Sequence, residues 1–303
     1  MTKIILNECW ARDGLQNQPT FIETDQKLNM LLKIADAGFT RIEATSFSHP
    51  KYVPQFKDSL ELLSRIPHLP HVEFKTTCVN RKALERAIEA KQLGYAIDEI
   101  SFVMAASNEY NKINVNMDSQ ALRKVICENI DIALNEGFKS ILVSISTAFG
   151  CKYQGKVVDE DIVSLIEKFA SKGIHKFAIS DTMGMANPKQ SKHLFTKLKR
   201  LYPELTLIAH FHDTKGWGIA NCFAALEAGI THFDVSLGGI GGPPADRIKD
   251  RTQATGNVCT EDFVFMLHEM GYETGIDEMK LMELGRLSES LLGKQRSYLL
   301  ERV

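Results

Sequence analysis

Two histidines one residue apart, His210 and His212, carry the strongest chemical signal in the chain. They stand in His210-Phe211-His212-Asp213-Thr214, directly after the apolar run Leu205 to Ala209. Side chains alternate faces along a strand, so both imidazoles project from the same side. Packing gives a buried strand no reason to set two imidazoles together, whereas two such nitrogens can share one metal ion. Mixed nitrogen and oxygen donors suit Mg, Mn, Co or Zn, and the residue types do not choose among them.

A metal at that strand end needs ligands from other elements, and the pattern of the chain indicates which. Short β-branched or apolar runs at 3–8, 40–46, 72–77, 98–103, 140–146, 175–180, 206–211 and 232–236 read as strands. Between them, amphipathic segments near 25–37, 55–64, 81–93, 118–136, 159–172, 188–200 and 217–228 read as helices, followed by one near 261–270. Eight strand-then-helix units predict an α/β fold of the (β/α)8 TIM-barrel type, about 3–270, with an extension of one or two extra helices to 303. A doubly wound sheet is the rival, but no GxGxxG turn follows the first strand. Gly38, Gly94, Gly137, Gly173 and Gly229 each follow a helix-like segment and predict left-handed C-caps. The whole chain, 1–303, reads as one domain.

In such barrels the active site lies at the C-terminal ends of the strands. The polar residues there are Glu8 and Arg12-Asp13-Gly14-Leu15-Gln16-Asn17 after strand 1, Glu43 to Ser46 on strand 2, and Thr76-Thr77 on strand 3. Ser107-Asn108 follow strand 4, and Ser144, Ser146, Thr147 and Cys151 mark strand 5. Ser180-Asp181-Thr182 end strand 6, and a glycine-rich stretch from Gly238 leads from strand 8 to Gly256-Asn257. Each is weak alone. Together they favour a metal-dependent barrel enzyme.

The bulk properties fit that class. The chain has 303 residues, 44% hydrophobic and 24% charged, as in globular proteins. A net charge of -2 gives no case for nucleic acid or an anionic membrane. No apolar run approaches the roughly 20 residues that span a bilayer. The N-terminus runs straight into a strand pattern, with no room for a signal peptide, and the six cysteines form no CxxC pair. These features predict a reduced, cytoplasmic protein and leave a homodimer open.

A specific resemblance then emerges. Arg12-Asp13-Gly14-Leu15-Gln16-Asn17, Ile42-Glu43-Ala44-Thr45-Ser46-Phe47 and Pro50-Lys51-Tyr52-Val53-Pro54-Gln55 resemble the hydroxymethylglutaryl-CoA lyase branch of the metal-dependent lyase and synthase barrels. Further matches are Ala105-Ala106-Ser107, Gly150 to Lys156, Asp181-Thr182-Met183-Gly184, the histidine segment and Gly256 to Asp262. The motifs run in order from residue 3 to about 300.

The resemblance implies that Asp13, His210, His212 and Asn257 bind a divalent metal, Mg or Mn first and Co or Zn next. It implies that Arg12 neutralises the substrate carbonyl and the enolate that develops there. Glu8, Gln16, Glu43 and Asp181 would form a polar shell, with Ser107 and Thr182 on the substrate side. Asp181 or His210 would take the proton. Lys294 and Arg296 would meet the phosphates of an acyl-CoA. The implied reaction is a retro-Claisen cleavage of hydroxymethylglutaryl-CoA or a related 3-hydroxyacyl-CoA.

The chain also departs from that family. Pro243 stands where a cysteine normally follows the glycine pair, and proline has no side-chain proton to give. The loop onward to Gly256 is longer and carries Asp246-Arg247-Ile248-Lys249-Asp250-Arg251. Trp10 replaces a small residue and either narrows the pocket or simply packs. Ser144 replaces an aromatic, and Pro19 stands near an expected basic residue. Cys151, Asp246, His210 or water could supply the missing proton. Two alternatives therefore stay open: a retro-aldol lyase or synthase on a hydroxy acid without CoA, and a metal-binding barrel that no longer turns over.

Overall fold

The computed structural model describes residues 2–242, 256–293 and 297–299. Eight parallel strands close into a barrel: β1 (Ile5–Glu8), β2 (Arg41–Ser46), β3 (Glu73–Thr77), β4 (Glu99–Ala105), β5 (Ser140–Ser146), β6 (Lys176–Asp181), β7 (Thr206–Phe211) and β8 (His232–Val235). β8 returns to β1 in register, with Ile5 opposite His232 and Glu8 opposite Val235. The predicted strands agree with these to within one or two residues at nearly every end.

The helices between strands are α1 (Thr24–Asp36), α2 (Ser59–Arg65), α3 (Arg81–Gln92), α4 (Asn108–Val115), α5 (Ser119–Asn135), α6 (Asp159–Ala170), α7 (Pro188–Leu201) and α8 (Gly218–Glu227). After β8 come α9 (Thr260–Glu269) and α10 (Glu278–Leu292). Local chemistry sets their ends. Asn187 accepts the Gln190 N–H at 3.0 Å, and Pro188 opens α7 where no N–H is needed. Gly38, Gly94, Gly137, Gly173 and Gly229 all take positive φ, as C-caps require.

α4 was not predicted. Its cues are present: Ser107 accepts the Tyr110 N–H at 3.1 Å as an N-cap, and Asn116 ends the helix at φ 56°. With eight residues it is too short to display a clear apolar period.

Alternation sorts the barrel's residues. The outward side chains, such as Phe74, Phe177, Phe211 and Phe233, pack against the helices in the main core. The inward ones are largely polar or small. Deepest lie Arg41, Glu73, Glu99 and Lys176, an ion network that plugs the N-terminal end: Lys176 reaches Glu99 at 2.8 Å and Glu73 at 3.1 Å, and Arg41 pairs with both carboxylates. Above them, Leu142, Ala178 and Ile208 form a small apolar cluster of their own.

Candidate metal centre and active site

At the opposite end, one π-helical turn, Trp10–Gly14, follows β1 and presents Arg12 and Asp13. Such single turns recur at functional sites. Glu8 holds this turn from beneath. Its Oε1 accepts the N–H groups of Trp10 at 2.9 Å and Leu237 at 3.0 Å, and its Oε2 accepts the Thr260 hydroxyl at 2.6 Å. Burial pushes the Glu8 carboxyl up to about 8, against the pull of those hydrogen bonds.

Asp13, His210 and His212 converge. Their ligand atoms lie within 4.8 Å of one another, and all three residues are buried. The two Nε2 atoms stand 3.0 Å apart, with Asp13 Oδ2 3.4 Å from one and 3.6 Å from the other. Burial would raise the Asp13 carboxyl, but Arg12 and the two histidines hold it well below the usual carboxylate range. Burial likewise opposes an imidazolium at His210, yet Asp234 and Asp13 outweigh it and raise that group.

Asn257 joins from the segment before α9, where a β-bridge sets it opposite His212. Its Nδ2 donates to Ile240 O at 2.9 Å and to Asp13 Oδ2 at 3.2 Å. Among the described residues its Oδ1 is buried without a hydrogen-bond partner, the state of a lone pair reserved for something else. Gly241 makes this approach feasible, because a Cβ there would lie 2.1 Å from Asn257 Nδ2. Two imidazole nitrogens, a carboxylate and a free amide oxygen in one buried spot fit a divalent cation.

Arg12 is fixed beside this cluster. Its Nε lies 2.7 Å from Glu43 Oε1 and its Nη1 3.4 Å from Asp13 Oδ1. Burial would lower the guanidinium's pKa, but Glu43 and Asp13 keep it raised, so it stays a permanent cation. Thr77 donates to the same Glu43 oxygen at 2.5 Å. Gln16 donates to Asp13 and, at 2.7 Å, to Gly242 O, tying the turn to the loop after β8.

A pocket opens over these groups, walled by Arg12, Asp13, Gln16, Thr182, His210 and His212 together with the inward faces of β2–β6. Tyr110, Asn114 and Val115 of α4 line it too. At the ends of β4–β6, Thr147 at φ 56° accepts the Ser107 N–H at 3.1 Å and donates its own to Thr182 Oγ1 at 3.0 Å. A β-branched residue held left-handed there is strained backbone at the rim of the pocket.

Four of the expected site residues are turned elsewhere. Asp181 ends β6 opposite Phe211, whose ring packs outward on Phe149 and Phe195. Its oxygens accept the N–H groups of Met185 at 2.8 Å and Ala186 at 3.0 Å, so it shapes its own loop and does not wall the pocket. Glu8 has the same outward parity. Ser107 caps α4, and Cys151 is fully buried in the main core, its backbone bridged to Gly155. Trp10 packs outward, donating to Ser288 at 2.6 Å, and does not narrow the pocket. Lys294, Arg296, Pro243 and Asp246 lie outside the described residues.

Two residues that the pattern did not single out stand on the wall: Asp234, 3.0 Å from His210 Nδ1, and the buried Lys75, 3.4 Å from Glu43. Both occupy inward positions of their strands, so strand alternation carried the signal.

Comparison with known proteins places this geometry in a family. The family described as HMGL-like matches residues 3–287. The curated hydroxymethylglutaryl-CoA lyase YngG of Bacillus subtilis is 33% identical over 96% of this chain and 94% of its own. The mitochondrial hydroxymethylglutaryl-CoA lyase of Homo sapiens is 31% identical over 97% of this chain and 87% of its own. A solved HMG-CoA lyase from Acinetobacter baumannii, in complex with coenzyme A and 3-methylmalate, is 36% identical, with a TM-score of 0.90 over 99% of this chain and 95% of its own. The chain belongs to the HMGL-like family and is a lyase of that family.

Proposed function

We propose that the protein is a divalent-metal-dependent carbon–carbon lyase that cleaves hydroxymethylglutaryl-CoA or a related 3-hydroxyacyl-CoA to an acyl-CoA and a keto acid. The observation that carries this is the buried convergence of Asp13, His210 and His212 beside the fixed guanidinium of Arg12. Asp13, His210, His212 and Asn257 would hold the metal. Mg or Mn is the proposed ion, and it would act as a Lewis acid on the hydroxyl and carboxylate oxygens of the substrate.

The chain's own groups supply the rest. In a retro-Claisen cleavage the bond from the carbinol carbon to the thioester's α-carbon breaks. The alcohol becomes a ketone, and the electron pair passes to the thioester as an enolate. Arg12, pinned by Glu43 and Asp13, sets a fixed positive charge where that negative charge grows. Gln16 and Thr182, both on the pocket wall, are positioned to orient the substrate. The group that takes the alcohol proton must also face the pocket, and Asp181, turned into its own loop, does not.

The CoA assignment draws on the Acinetobacter lyase, which holds coenzyme A. The reading includes a cytoplasmic location, in keeping with six buried free cysteines, and a homodimer. Among the described residues no helix is long and apolar enough to cross a membrane. The test is turnover of a panel of 3-hydroxyacyl-CoAs by metal-loaded protein, with thermal shifts for CoA thioesters against free hydroxy acids. Cleavage and stabilisation by the thioesters support the reading. Stabilisation and cleavage of free acids alone would assign the non-CoA lyase instead.

A further inference from the structure

The pocket does not stop at the metal ligands. Ser180 on β6 is level with His210, and Ala178 lies one inward position deeper, roughly 6–7 Å down the strand. Ala178 walls the same cavity, together with Lys75, Ser101, Leu142 and Ser144. Barrel interiors are ordinarily filled by layers of bulky branched side chains. Here serines and an alanine stand in those places, so the pocket of about 140 Å³ that opens over the metal ligands continues down into the barrel.

This space is not an apolar void. Lys75 is 3% exposed and projects into it from β3. Its ammonium stays 3.4 Å from Glu43 Oε2, longer than a charge-assisted hydrogen bond, and among the described residues no hydrogen bond reaches that oxygen. Arg12 and Thr77 hold the other oxygen of Glu43. Burial would lower Lys75, but Glu43 and Asp234 outweigh it and hold the group up at about 12. Nearby, among the described residues, the buried Ser146 Oγ has no hydrogen-bond partner, and Ser144 and Ser180 share only each other at 3.2 Å. Buried polar groups left with spare capacity around a cavity are the mark of a missing polar occupant.

We infer that the inner end of this pocket is a binding subsite for a short, carboxylate-ended arm on the carbinol carbon of the substrate, with Lys75 as its anion partner and the β5–β6 serines as its hydrogen-bonding wall. The inference rests on the lyase reading for its substrate frame. A methyl substituent would leave the Ser146 hydroxyl without a partner and Lys75 with only its long Glu43 pair, whereas a carboxylate offers acceptor oxygens to both. Cleavage would follow the same bond changes as before, and the arm would leave as part of a 3-oxo dicarboxylate.

The experiment compares hydroxymethylglutaryl-CoA with the analogue in which 2-carboxyethyl replaces the methyl group, on manganese-loaded protein. The natural chain should prefer the carboxyethyl thioester by about 10- to 100-fold in kcat/KM, the worth of one buried charge-assisted contact. Lys75→Met should erase or reverse that ratio. Ser144→Leu, which fills the cavity without touching the ion pair, should lower the same ratio and guards against loss of folding in Lys75→Met. Thermal shifts with the corresponding free hydroxy acids read binding apart from turnover. If neither thioester is cleaved but the carboxyethyl acid alone stabilises the natural chain and not Lys75→Met, the subsite stands and the lyase reading falls. A preference for the methyl substrate, a ratio unmoved by both variants, or no discrimination in either readout overturns the subsite.

Discussion

His210 Nδ1 sits 3.0 Å from the Asp234 carboxylate, and this contact decides which way the imidazole can work. A ring nitrogen that donates to a carboxylate carries the proton, so Nε2 is left as the lone-pair nitrogen facing Asp13 and His212. Asn7 steadies the other Asp234 oxygen from β1 at 2.8 Å. Replacing Asp234 with Asn should therefore weaken metal binding by about 10- to 100-fold without unfolding the barrel. A manganese titration followed by electron paramagnetic resonance measures it, and unchanged affinity would show that Asp234 does not orient the ligand.

Arg12 is held on two sides by carboxylates, so its value lies in position as well as charge. Lysine keeps the charge but loses the planar fork that spans Glu43 and Asp13. Arg12→Lys should lower kcat by about 10²- to 10³-fold, the usual range for one fixed donor at a developing oxyanion. Steady-state kinetics with a parallel manganese titration checks this, since the metal affinity should change far less than kcat.

Trp10 offers a contrast between packing and pocket. Its indole N–H donates to Ser288 on α10, and the ring is fully buried. Trp10→Phe should cost about 1–2 kcal/mol in stability, from the lost hydrogen bond and the smaller ring. KM should stay within about twofold, because the ring is not on the pocket wall. Urea unfolding and a substrate titration separate the two effects.

His232 lies at the plugged end of the barrel, where burial and the charges of Arg41, Lys176 and Lys199 lower it from the ordinary 6.5 to about 4, with Asp234 pulling the other way. Between those values the unfolded chain binds more protons than the folded one. Stability is therefore full above about pH 6.5 and falls as the pH drops towards 4. His232→Gln should flatten that part of the Tm-against-pH curve, by no more than about 3 kcal/mol. Calorimetry from pH 4 to 8 on both chains reads the difference.

Much of this was legible in the chain. Strand periodicity located all eight strands, and glycines after helices marked five C-caps whose φ values are positive. The His210–His212 pair read correctly as two imidazoles on one face. Less visible were residues whose roles depend on face and not on type. Glu8 and Asp181 looked like site carboxylates because they end strands among matching motifs, but they point outward and hold backbone N–H groups. Lys75 and Asp234 carry no motif of their own and point inward. Short α4 escaped notice, although Ser107 and Asn116 mark its ends, because eight residues give too little periodicity to outweigh a loop reading.

The most direct test of the metal-dependent lyase account is mass-spectrometric detection of acetyl-CoA from hydroxymethylglutaryl-CoA, using protein stripped of metal and then resupplied with manganese. Release that appears only with manganese, and that Asp13→Ala abolishes at any manganese concentration, is the predicted result. Equal release from stripped protein, or from Asp13→Ala, would contradict it.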